Sequence, residues 1–250
     1  PIVDMLDAII EPGDQKLFRL QGKVNQELNI SSIWGDEDGL ENFRGALRAN
    51  STASGAPKMI PLVTPVALSG FSKRAQGFLA QKFRKVGLDV SGGGSGALNG
   101  DLYSRNKEGA DKLVPGSAVA LMLSTGDFAS VATGTVTGIF SNRVLAFGHP
   151  LMEAGVVDIP MGSAYIHDIL PSLSVSFKLS SPLKLLGRIF ADRPWSVGGE
   201  LGKSARMVPV EITVIDDERH FRKQYKSSVI NHPDFTSDLV SALIMSAMDS

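Results

Sequence analysis

The chain has 250 residues, 43% of them hydrophobic, which suffices for one large core or two small ones. Its 25 basic and 26 acidic residues nearly cancel, so no global field draws in nucleic acid and no charged tail stands out. The absence of cysteine excludes disulfides, thiolate chemistry and cysteine-based zinc sites. No apolar run reaches the ~18 residues that a transmembrane helix requires.

The chain opens on Pro1 rather than Met, which reads as a processed or trimmed piece. Ile2, Met5, Leu6, Ile9 and Ile10 fall at helical spacing before a Glu-Pro-Gly-Asp turn. Residues 50–57 read as a flexible connection, and Met59 to Leu68 as a strand. Ser72 then caps a helix whose stripe is Ala75, Phe78, Leu79, Phe83 and Val86, closed by Gly87 in a left-handed cap. The glycine loop at 91–99 lacks the lysine and following helix of a phosphate loop and reads as a connection; a small-ligand site at Gly92 to Gly96 is a weaker alternative.

From Val114 the pattern changes to short apolar runs separated by turn residues. They are Ala118 to Leu123, Phe128 to Ile139, Arg143 to Phe147, Val156 to Ile159, Ala164 to Leu170, Leu173 to Leu179, Arg188 to Phe190, Met207 to Ile215 and Phe221 to Ile230. Strands at this spacing predict an antiparallel barrel or sandwich. Asp216-Asp217 marks a hairpin turn. A last helix, 233–248, has Pro233 in its first turn and an apolar face that needs a partner: this domain, sequence beyond Ser250, another copy or another protein. The expected fold is α+β and mainly β, with a smaller α/β portion over 1–113 and a β-rich portion over 114–250.

The four histidines show no spacing for a metal site, and no cofactor is expected. His167 alternates with apolar neighbours in a strand, His220 follows a charged turn, and His232 precedes the last helix. His149 differs, because Gly148 permits a tight turn after an apolar strand and Pro150 fixes the exit. An imidazole held at the rim of a sheet suits a general base; a structural histidine is the alternative.

Thr133-Gly-Thr-Val-Thr-Gly-Ile-Phe, a short turn, then Val144-Leu-Ala-Phe-Gly-His-Pro resembles the core of the SpoIVB-type (stage IV sporulation protein B) serine peptidases. Softer similarities lie at the opening Pro1-Ile-Val-Asp-Met-Leu, Thr64 to Phe71, Leu113 to Val119, Ser176 to Leu179 and Gly187 to Arg193. The resemblance implies a trypsin-like β-barrel-type portion, a bacterial envelope or secreted location, a protein or peptide substrate, and His149 as general base. The family's late Gly-Met-Ser-Gly-Ser-Pro-like nucleophile segment is missing here. The remaining candidates are Ser163 (Met-Gly-Ser-Ala) and Ser196 (Trp-Ser-Val-Gly-Gly), each with glycine close enough for an oxyanion turn, with ordinary solvent-facing or backbone-bonded hydroxyls as the alternative; Asp192 either orients His149 or serves in a local Asp-Arg pair or Asp turn. Two functions stay open: a serine endopeptidase, and a non-catalytic envelope, assembly or protein-binding module on the same fold.

Overall fold

The computed structural model describes residues 63–92, 112–170, 177–218 and 220–250. The segments 2–10, 50–57 and most of the glycine loop lie outside them. Strand accounts for 58% of the described residues and helix for 17%, so the fold is mainly β.

Strand β1 (Thr64–Ser69) buries Thr64, Val66 and Leu68 at period two. Helix α1 (Lys73–Phe83) begins at Ser72, whose Oγ accepts from Ala75 N at 3.3 Å. Ala75, Leu79 and Phe83, four residues apart, form its buried stripe. Gly87, at φ +77°, ends a short 3-10 turn. Strand β2 (Leu88–Gly92) then pairs parallel to β1, completing a βαβ unit. Ser72 Oγ also donates to Asp249 Oδ2 at 2.8 Å, which ties the helix start to the chain's last residues. Ser72→Ala is expected to cost about 1 kcal/mol, read from the midpoint of urea unfolding.

The β-rich portion comprises β3 (Ala118–Gly126), β4 (Ala129–Phe140), β5 (Arg143–Ala146), β6 (Gly155–Leu170), β7 (Phe177–Arg193), β8 (Ser196–Leu201), β9 (Met207–Asp216) and β10 (Phe221–Ile230). All belong to one ten-stranded sheet, in the order β2-β1-β4-β5-β8-β7-β6-β3-β10-β9. An additional β3–β4 pairing closes β3, β4, β5, β8, β7 and β6 into a ring of six antiparallel strands. Ring residues Val119, Leu121, Val136, Val144, Ile159, Met161, Ile189 and Val197 are buried in one core.

Two expectations are corrected. The runs at 156–159 and 164–170 belong to one 16-residue strand, β6, which pairs through several bulges with the 17-residue β7. Gly162 sits inside it because the β7 backbone passes close: a Cβ there would lie 2.4 Å from Lys184 O. Gly198 and Gly199 do not turn the chain but lie within β8. A Cβ on Gly199 would meet Ile189 Cδ1 at 2.8 Å, so close packing explains the glycine. Neither Ser163 nor Ser196 therefore stands on the glycine turn that its neighbours suggested.

Helix α2 (Thr236–Met248) starts three residues later than Pro233 indicated. The N–H groups of Phe235 and Thr236 bond to His232 O, and His232 N donates to Thr236 Oγ1 at 2.8 Å. Its apolar face finds its partner within the chain: Leu239, Leu243 and Ala247 are fully buried, Phe235 meets the Phe83 ring, and Lys82 pairs with Asp238 at 3.1 Å. No described helix is long and apolar enough to cross a membrane.

Candidate functional site

The His149 loop begins where β5 ends. Phe147 N donates to Thr135 O at 2.9 Å, and Phe147 and Gly148 take φ values of +74° and +72°. A non-glycine residue in the left-handed region is strained and persists only when its surroundings hold it. Here the hold is visible. The Phe147 ring lies on Gly134, where an added Cβ would approach ring atoms to 2.2 Å and 2.3 Å. The ring also meets the imidazole of His149 edge-on, with centroids 5.4 Å apart. Gly134 and His149, the two ends of the segment that resembles the peptidases, are thus joined through Phe147.

His149 Nδ1 lies 2.7 Å from Pro150 O. A carbonyl can only accept, so Nδ1 carries the hydrogen and Nε2 of the neutral ring is an acceptor. Thr64, on β1, adds a second contact: its Oγ1 is 3.5 Å from Nδ1 and 3.4 Å from Pro150 O. The ring is half-buried, and among the described residues Nε2 has no partner. This is the tautomer a general base requires, with a backbone carbonyl where a catalytic triad places a carboxylate.

Asp192 is 1% exposed, near the end of β7. Its Oδ1 accepts from Leu151 N at 2.7 Å, and its Oδ2 from Met152 N at 2.9 Å and Ala154 N at 3.1 Å. The carboxylate therefore folds the loop that follows His149 rather than orienting the imidazole itself. Leu151 and Met152 are buried as a result.

Ser196 directly precedes Val197, which pairs with Ala146 on β5 and Asp192 on β7. It stands opposite the point where the chain leaves β5 for Phe147 and His149. Register thus gathers His149, Asp192 and Ser196 at one end of the ring. Ser196 is 3% exposed and its Oγ has no hydrogen-bond partner among the described residues. Ser163 is also buried, on β6, in a row with Val119 and Gly134 across β3 and β4. Among the described residues the imidazole is bonded to neither Asp192 nor Ser196.

No protein-family model, curated protein or solved structure matches this chain. Among the described residues, no group of three or more His, Asp or Glu side chains is placed to hold a metal ion. His167 Nε2 bonds to Ser181 Oγ at 2.8 Å, and His220 is exposed in the β9–β10 turn.

Sequence reasoning missed Thr64, which is 85 residues from His149 and carries no local signal. It also missed a polar row on the side of β4 that faces the first part of β7. There Thr133 Oγ1 and Ser180 Oγ are 2.7 Å apart, and Lys178 Nζ makes a short hydrogen bond to Thr135 Oγ1. Burial lowers the Lys178 ammonium below the ordinary lysine pKa of 10.5.

Proposed function

We propose that this chain carries a SpoIVB-like serine endopeptidase domain with His149 as general base and Ser196 as nucleophile. One observation carries the reading. The imidazole is fixed from three sides, by Pro150 O, Thr64 and Phe147, in the tautomer that leaves Nε2 open to take a proton. The unpartnered Ser196 hydroxyl at the same end of the ring supports it, because a buried hydroxyl without a partner costs about 1–3 kcal/mol and calls for a role. The closed ring of antiparallel strands supports the trypsin-like fold of such an enzyme.

In this reading substrate binding brings Ser196 Oγ to Nε2, a bond that is commonly long or unmade in a free enzyme. Oγ attacks the peptide carbonyl carbon as its proton passes to Nε2. The imidazolium returns that proton to the leaving amine as the C–N bond breaks. Water, deprotonated by the same nitrogen, then hydrolyses the acyl-serine. Pro150 O accepts the Nδ1 hydrogen throughout and takes the orienting part that Asp192 does not fill.

A second reading is favoured by a specific feature. The Asp192 carboxylate is committed to three backbone amides, and Val156 and Trp195 stand 67% and 41% exposed beside Gly155 and Ser196. Apolar side chains at that end suit a non-catalytic module that binds a protein.

Casein cleavage separates the two. The enzyme reading expects His149→Ala and Ser196→Ala each to abolish cleavage while the chain stays folded. Ser196→Ala should even gain about 1 kcal/mol of stability, because it deletes an unsatisfied hydroxyl. Partner capture with no cleavage by the parent chain, unaltered in His149→Ala, would favour the binding module.

A further inference from the structure

The polar row on β4 and β7 holds one cation and three hydroxyls, with no anion among the described residues. Lys178 is half-buried, and among the described residues no carboxylate lies within ion-pair distance of it. Its partner is a neutral hydroxyl, Thr135 Oγ1. After that bond is made, two ammonium hydrogens and the Thr135 hydroxyl hydrogen have no acceptor among the described residues. The Thr133–Ser180 hydrogen bond, one pleat along both strands, pins β7 to β4 and fixes where the ammonium stands. A partly desolvated cation whose partner among the described residues is one neutral hydroxyl is the complement of an anion. The strand that carries the row also meets the His149 loop, since Thr135 O accepts Phe147 N at 2.9 Å; the Phe147 ring itself packs on Gly134, on the other face of β4 from the Thr135 side chain.

We propose that Lys178 and Thr135 form a carboxylate-binding subsite, held in place by Thr133 and Ser180, for an acidic group on the peptide that the His149 site receives. This rests on the peptide-handling reading above and names a substrate class for it. Partial burial of the Lys178 ammonium, with no counter-charge among the described residues, disfavours its charged form. The residue therefore costs stability in the free protein and recovers that cost when a carboxylate arrives.

The test measures binding on the Ser196→Ala chain, so that it does not depend on cleavage. Three fluorescein-labelled hexapeptides are compared: one with a single Glu and an amidated end, its Gln counterpart, and the Gln peptide with a free C-terminus. The Glu peptide, the free-acid peptide or both should bind about tenfold tighter than the amidated Gln peptide. The arm that gains identifies the carboxylate as side chain or chain end. Lys178→Met keeps the apolar stem, should melt no lower than its parent, and should erase the preference; Lys178→Gln serves if the Met chain does not fold. Equal binding of all three peptides, or a preference that survives loss of the ammonium, overturns the proposal. The peptidase reading is judged separately by casein cleavage.

Discussion

Asp192→Ala is expected to lower the free energy of unfolding by about 4 kcal/mol, the largest effect of any single change considered for this chain. The reason is the number of groups that one carboxylate serves. Three backbone amides, those of Leu151, Met152 and Ala154, converge on it, and Asp192 is almost fully buried. Without the carboxylate those donors lose their acceptor inside the protein, and hydrogen bonds to a charged group are worth more than neutral ones. Asp192→Asn should be milder, at about 2 kcal/mol. An amide can place its oxygen at the Oδ2 position and keep two of the three bonds, but its NH2 then faces Leu151 N, donor against donor. Urea unfolding of the two variants checks the ranking. A loss under about 1 kcal/mol in the Ala variant would show that the loop does not depend on this anchor.

Gly134→Ala is the second large effect, expected at about 2–3 kcal/mol. The backbone at Gly134 has no positive φ, so alanine meets no conformational penalty there. The cost is one of space, because the new Cβ falls 2.2 Å from Phe147 Cδ2. The ring must leave, and with it goes the edge contact that positions His149. A double-mutant cycle isolates this. In a Phe147→Ala background, Gly134→Ala should be nearly neutral, giving a coupling energy of about 2 kcal/mol. The imidazole resonances of His149 should shift in either single variant. Additive losses would mean that Gly134 is required for some other reason.

Much of the fold was legible because its devices are local. Ser72, the stripe Ala75–Leu79–Phe83 and Gly87 announce α1, short apolar runs between turn residues announce β3, β4 and β10, and alternation announces β9. What failed was the meaning of glycine inside a tightly packed ring. Gly162, Gly198 and Gly199 look like turns in a sequence but lie in strands, and at Gly162 and Gly199 neighbouring groups come too close for a side chain. Pro160 likewise hides the continuity of β6, since a bulged strand tolerates a residue that cannot donate.

The site was legible at one point and opaque elsewhere. Gly148 and Pro150 mark His149 locally. The tautomer depends on Pro150 O, whose position follows from Asp192 folding the loop 40 residues away in sequence. Thr64 and Lys178 enter only through strand pairing and hairpin folding, which no local pattern encodes. Sequence alone does not separate Asp192 as an orienter of His149 from Asp192 as an anchor of the loop, because the distinction rests on which atoms its oxygens reach.

The central claim is that His149 activates Ser196. The most direct measurement is fluorophosphonate labelling of the whole chain, mapped by peptide mass. The account predicts one labelled residue, Ser196, with labelling lost in both Ser196→Ala and His149→Ala. No label on the folded chain, or a label that persists when His149 is replaced, would contradict it.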